Sequence, residues 1–287
     1  MPDILHILAH AVEDTARMIP FLLAAYALIE YIERRHSQGI ERALAQSGRM
    51  GFAAAAVLGL VPQCGFSAMA ANLYASRVIT LGTLLAVFIT TSDEAVPILA
   101  ATPGMWRPML ALLAVKLAVA LAAALVVDVA LRRVLPAHVR GGYSGSAGDV
   151  DCHEHAEADS LLWAALKHTA HITLFIFVFN FAVGFVVEAV GSDAIGRALA
   201  AAGYWQPALA ALVGLVPNCA ASVLITQLFA AGQLSFGGAV AGLCASAGVG
   251  LAVLFRANKS LKQNLFVTAL LWACGTAAGA VCMALGL

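Results

Sequence analysis

Two short stretches decide the fold: Gly59-Leu-Val-Pro-Gln-Cys64 and, 155 residues later, Gly214-Leu-Val-Pro-Asn-Cys219. The likeness continues beyond them. Ser67 meets Ser222, Leu73 meets Leu228, Ala75 meets Ala230, Gly82 meets Gly237 and Ala86 meets Ala241, giving ten identities in 28 gapless positions. Polar Asn72 falls on polar Gln227, and a weaker match sets Thr15-Ala16 and Phe21 against Thr169-Ala170 and Phe175. Self-similarity at one fixed offset, with a shared Pro and Cys, marks an internal duplication. The chain reads as two copies of one unit.

Both motifs sit in membrane-like surroundings. Of 287 residues, 62% are hydrophobic and 11% charged, with a mean hydropathy of +0.89; a soluble domain carries about 25% charged residues. Basic and acidic residues number 16 each, so no charge excess points to nucleic acid. Ala198 to Phe255 is 58 residues without Lys, Arg, Asp or Glu; Met50 to Ser76 adds 27 and Gln263 to Leu287 adds 25. A spanning helix needs about 20 apolar residues. The candidate spans are 14–33, 79–102, 109–131, 161–188, 235–256 and 263–286, and the interrupted segments 50–76 and 205–231 stand apart from them. Strand-like alternation is absent, so the spans read as helices and not as a barrel. Met1 to Asp14 lacks a basic n-region, so no cleavable signal is expected. Five of the six cysteines lie in apolar segments, which argues against a disulfide framework. Residues 136–160, rich in Gly, Ser and charge, read as a solvated linker between membrane units 1–135 and 161–287.

Proline removes a helix hydrogen bond and pushes the residue before it out of the α region. Pro62 and Pro217 should therefore break their segments into pieces too short to span alone. Each segment is then either one kinked span or a re-entrant hairpin. Charge chooses between them. With hairpins, twelve basic residues (Arg34, Arg35, Arg42, Arg49, Arg77, Arg132, Arg133, Arg140, Lys167, Arg256, Lys259 and Lys262) share one side, and only Arg107 and Arg197 lie opposite. Kinked full spans split them nine against five. The expectation is an all-α polytopic membrane protein of two inverted-topology repeats. Each has about three spans plus a Pro-broken re-entrant hairpin, or eight to ten membrane helices counted as segments.

Irregular backbone at membrane depth is tolerated where protein buries it or water adjoins it. The two breaks, each followed by a thiol, thus point to a central site, because broken helices in inverted-repeat transporters hold substrate near the midplane. Pro62, Gln63, Cys64, Ser67 and Asn72 in one half, with Pro217, Asn218, Cys219, Ser222 and Gln227 in the other, are its candidate lining. The bland alternative is two kinks with cysteines as small apolar filler. Thr91-Ser92-Asp93-Glu94, ahead of Pro97, places two carboxylates inside an apolar stretch; such residues are functional candidates by default, and a water-exposed helix end is the alternative. Their repeat equivalents carry no acids, which makes any such site asymmetric. Lys116 lies mid-span and calls for a carboxylate, with Asp93 or Glu94 the natural partner. Cys64, Cys219, Asp93 and Glu94 form a candidate metal set. In the linker, Cys152, His153 and His155 are a second one, against the alternative of a merely acidic solvated loop. No nucleotide-binding or nucleophile motif is visible, so an enzyme is not expected, no cofactor is implied, and transport would draw on an ion gradient or run downhill.

The pair Pro62-Gln-Cys-Gly-Phe-Ser67 and Pro217-Asn-Cys-Ala-Ala-Ser222, with Thr91-Ser-Asp-Glu-Ala-Val-Pro97, resembles a bacterial heavy-metal exporter family related to the arsenic permeases. Its members are described as ten-helix proteins and named manganese transporters or arsenic efflux proteins. The resemblance covers nearly the whole chain and includes a Cys/His-bearing central loop. It implies an efflux permease in the bacterial inner membrane, with the lipid bilayer and a metal or metalloid ion as partners, and protons as a candidate coupling ion. Thiols favour As(III), Zn²⁺ or Cu(I), whereas Mn²⁺ prefers oxygen ligands; both sets are present. A permease for an organic or oxyanionic solute, a membrane-embedded thiol redox protein and a passive channel stay open, as does assembly into a homo-oligomer.

Overall fold

The computed structural model describes residues 51–60, 65–92, 95–131, 136–141 and 201–287, together with 197–199 and single helical positions between 8 and 23 and between 166 and 185. Among the described residues the chain is helical. Helix α1 is Gly51–Gly59, α2 Gly65–Ala75, α3 Leu81–Thr90, α4 Ala95–Ala101, and α5 Trp106–Leu125, which runs on through a π turn at Val126–Ala130. A short helix α6, Ala137–Arg140, follows. The second half holds α7 Gln206–Gly214, α8 Cys219–Ala230, α9 Phe236–Ala245, α10 Gly250–Ala257 and α11 Leu261–Ala284.

The helices obey the 155-residue offset almost to the residue. Gly51 maps to Gln206, Leu81 to Phe236, Ala95 to Gly250 and Trp106 to Leu261, each pair being the first residues of equivalent helices. The caps repeat as well. The Thr80 side chain accepts from the Thr83 amide at the start of α3, and Ser235 from the Gly238 amide at the start of α9. Such caps satisfy the amides that a first helical turn leaves unpaired. Thr15 and Thr169, paired by the weaker match, are both buried.

Prolines act where the sequence places them. Helix α7 ends at Gly214, and Asn218 is extended (φ −149°, ψ 151°) with its side chain accepting from the Ala220 amide, so α8 starts afresh after Pro217. Residues 61–64, including Pro62, lie outside the described residues. On either side of them, α1 ends at Gly59 and α2 begins at Gly65. A second interruption splits 79–102, with α3 ending at Thr90 and α4 beginning at Ala95. Pro97 sits in the first turn of α4, where its missing N–H costs nothing.

One expectation needs correction. The segment 235–256 reads from sequence as one continuous span, yet it is two helices, α9 and α10. Ser246 is extended at the end of α9 (ψ 93°) and Gly248 has φ +52°, a conformation open to glycine and costly for other residues. Each half thus carries two breaks. Four stretches are still long and apolar enough to cross a membrane: Leu81–Ala101, Trp106–Ala130, Phe236–Ala257 and Leu261–Ala284. Spans 14–33 and 161–188 fall mostly outside the described residues.

Packing follows from which faces are buried. Every residue of α3 is buried, and α9 is buried from Gly237 to Ala245; a helix apolar on all sides belongs in the middle. Against α3 lie α1 and α5, and against α9 lie α7 and α11. The outer helices bury one stripe each. On α5 it is Met109, Leu112, Lys116, Ala120 and Ala124; on α11 it is Asn264, Val267, Leu271, Gly275 and Gly279, position for position at the same offset. The helices after each break cross to the other half: α2 packs on α10, and α8 on α4. The two repeats are therefore interlocked.

Close approach explains the shared glycine of the motif. A Cβ on Gly214 would lie 2.1 Å from the Gly242 carbonyl oxygen of α9. On Gly59 it would lie 3.1 Å from the equivalent carbonyl of Val87, and also 2.1 Å from Thr90 Oγ1, a side chain. Backbone yields less readily than a side chain, so Gly214→Ala should be the worse substitution. We expect it to cost about 3 kcal/mol, lowering the thermal midpoint in detergent by about 6–12 °C, with Gly59→Ala costing less. Equal midpoints for the two variants would contradict this packing.

Candidate functional site

The interlocking brings the breaks together. Gly250, first residue of α10, faces Ser67 near the start of α2: a Cβ there would meet Ser67 Cβ at 2.7 Å and its carbonyl oxygen at 2.8 Å. The reciprocal pair is α8 against α4. Hence the helix that follows the Pro-Asn-Cys motif lies on the helix that follows Thr91-Ser92. Each of these helices begins beside a stretch that the sequence singles out.

On α8, Cys219 is buried in the first turn and Asn218 caps it. The Ser222 hydroxyl donates to the Cys219 carbonyl at 2.8 Å, and the Thr226 hydroxyl to the Ser222 carbonyl at 2.7 Å. These three residues recur at intervals of three and four, which places them on one helix face. Thr226 was not singled out from sequence, although this spacing from Ser222 signals it. In the first half Ser67 and Asn72 are buried, and Asn72 Nδ2 donates to the Ala68 carbonyl at 3.1 Å. Gln227, its counterpart, is exposed. The two amides are equivalent in sequence and differ in surroundings.

Lys116 is the dominant charge among the described residues of the bundle interior. Its exposure is 0%. Nζ donates to the Thr91 carbonyl at 2.5 Å and to Ser92 Oγ at 3.0 Å. Thr91 is the C-cap of α3 and extended (φ −48°, ψ 124°), so the ammonium sits at the negative end of that helix, where a cation is stabilised. Burying an unpaired ammonium costs several kcal/mol; helix-end oxygens offset part of this. The break itself supplies them, because Thr91 and Ser92 have left the helical ladder. In the second half Leu271 holds the register of Lys116 and is likewise 0% exposed. At this register the first repeat carries a charge and the second does not.

Asp93 and Glu94 follow directly on the two residues that hold Lys116, but they lie outside the described residues. So do Pro62, Gln63, Cys64 and the linker residues Cys152, His153 and His155. Among the described residues no group of three His, Cys, Asp or Glu side chains is placed to hold a metal ion. Cys219 is the one described member of the expected central metal set, and Cys244, Cys274 and Cys282 are free thiols on α9 and α11. Cys244 is fully buried.

Helices throughout the described residues, four stretches of them long and apolar enough to cross a membrane, fit an all-α polytopic membrane protein. The family described as "Putative, 10TM heavy-metal exporter" matches residues 3–190. The chain belongs to that family of membrane transporters. No curated protein and no solved structure matches it.

Proposed function

We propose that the chain is an efflux permease that moves a metal or metalloid ion through the junction of its four breaks by alternating access. The observation that carries this reading is Lys116: a fully buried ammonium held by Thr91 and Ser92 at a helix break, beside the two acids of the sequence. Asp93 and Glu94 would bind the cation, Cys64 and Cys219 would contact it, and Lys116 would balance the acids when the site is empty. A tethered ammonium and a free cation cannot both be fully paired by the same carboxylates. Their competition lets the site release its ion.

The reading includes inverted topology. Helix α2 leaves the first motif towards the side rich in basic residues, and α10 runs to Arg256 on that same side. The contact between Ser67, near the start of α2, and Gly250, the first residue of α10, supports parallel half-helices that begin at mid-membrane. The short lengths of α1 and α2, about 14 and 16 Å at 1.5 Å per residue, support hairpins that enter and return. With no nucleotide motif in the sequence, the drive would be an ion gradient, and the site of action a bacterial inner membrane.

Flux into liposomes tests this directly. A panel of Mn²⁺, Zn²⁺, Cu(I), Co²⁺ and As(III), with and without a pH gradient, should yield saturable transport of one member that rises when the gradient is applied. If no member of the panel moves while oxyanions do, the cation reading is wrong and the buried ammonium faces an anion.

A further inference from the structure

The corner between α2 and α3 is tied to the chain that follows α5. Tyr74, 1% exposed near the end of α2, donates its hydroxyl to the Val139 carbonyl at 2.6 Å. Gly141 forms an antiparallel bridge with Thr80. It fits because it has no side chain: a Cβ there would lie 2.7 Å from the Ile79 carbonyl oxygen and 2.9 Å from the Tyr74 ring. Behind it, Asp128 in the π turn of α5 accepts from Thr80 Oγ1 at 2.6 Å and from the Gly82 amide at 3.0 Å. Residues 136–141 thus lie as a strap across the ends of α2 and α3.

The equivalent corner in the second half is built differently. Phe229 stands where Tyr74 stands and offers no hydroxyl; its ring instead lies 6.0 Å from that of Phe236. Met283 replaces Asp128. The turn itself also differs. Both corners close with the same bonds, Val78 N to Leu73 O and Gln233 N to Leu228 O, around one left-handed residue. In the second half that residue is Gly232 (φ +71°), whereas in the first it is Arg77 (φ +60°). A long side chain in that conformation costs about 1 kcal/mol and persists only where neighbours hold it.

We propose that residues 136–141 are a latch that holds α2 against the α3–α5 frame of its own half, keeping that end of the protein closed. Helix α2 is the element that must part from α10 if this end is to open, and Tyr74 is its tie. The pseudo-symmetry gives the latch its consequence. Two equivalent repeats would populate equally the two states that exchange their roles; a tie present, among the described residues, at the first corner and not at the second favours the state closed there. The contact does not depend on the transport reading, although its consequence for transport rests on it.

Amide hydrogen exchange on the full chain in lipid nanodiscs tests the latch without any transported ion. In Tyr74→Phe, which copies the second half, exchange should quicken about fivefold over 73–82 and 136–141, with α9 and α11 unchanged. Gly141→Val, which crowds the strap away from the Ile79 carbonyl and the Tyr74 ring while keeping the Tyr74 hydroxyl, should reproduce that pattern. Where flux is measurable, the ratio of half-saturating concentrations at the two faces should shift several-fold in both variants. Unchanged exchange in both, or a rise spread evenly through α3, α5, α9 and α11, would overturn the proposal. Absence of ion flux with the local exchange pattern intact would count against the transport reading and leave the latch standing.

Discussion

Replacing Lys116 with leucine is expected to leave the protein folded and to lower transport at least about 100-fold. Leucine is the residue that the second repeat carries at this register, and Leu271 is as fully buried as Lys116. The site therefore accepts an aliphatic side chain of that length within this helix packing. Energetically the exchange is close to balanced. It removes the desolvation cost of a buried ammonium and gains apolar burial, but it takes the Lys116 donor from the Thr91 carbonyl and the Ser92 hydroxyl, at about 1–3 kcal/mol each. A thermal midpoint within about 5 °C of wild type is the expected stability result. Transport should behave otherwise. On the proposed mechanism, loss of the tethered cation leaves nothing to displace the ion from Asp93 and Glu94, so the ion should bind and not leave. Tighter binding with lost turnover is the signature. Lys116→Arg should not restore flux, because a planar guanidinium cannot take the compact position between Thr91 and Ser92. A Lys116→Leu protein that transports normally would reduce the lysine to a helix cap.

Much of the fold is legible in the sequence because duplication writes it twice. Pro62 and Pro217 announce the first break of each repeat, and one offset aligns the starts of α1, α3, α4 and α5 with those of α7, α9, α10 and α11. The second break is announced in one half only, by Thr91-Ser92-Asp93-Glu94 and Pro97. In the other half it is hidden in Ser246-Ala-Gly-Val-Gly250, a run as apolar as its flanks, where the conformations of Ser246 and Gly248 show it. Sequence comparison at the 155-residue offset could have exposed it, since residues 91–94 map onto 246–249. The interlocking of α2 with α10 was not legible at all. In a membrane, lipid-facing and protein-facing sides are equally apolar, so a helix such as α2 carries no stripe to say which neighbour it meets. For the site, Lys116, Ser67 and Cys219, singled out from sequence as candidate pathway residues, are buried. The pattern cannot tell Asn72 from Gln227, because the same kind of residue at equivalent positions is enclosed in one repeat and exposed in the other.

Two variants separate the thiol from the carboxylate as the substrate's main contact. Cys64→Ser/Cys219→Ser keeps size nearly constant and replaces a soft donor with a hard one, so its effect reads the chemistry of the ion more than the packing. Cys219 is buried at the start of α8, where Asn218 and not the thiol caps the helix; the exchange should leave folding intact. If the transported ion is soft or borderline, As(III), Cu(I) or Zn²⁺, the double variant should lose at least about 100-fold in flux, since thiolate coordination is what such ions prefer. Asp93→Asn in that case should lower flux mainly through charge balance with Lys116, and its defect should be smaller. For Mn²⁺ the order reverses, because an oxygen site survives loss of the thiols but not of a carboxylate. Parallel flux assays on the two variants with the same panel therefore name the donor set and, with it, the class of ion. Full activity in both would remove the central site from the mechanism, whatever ion the family carries.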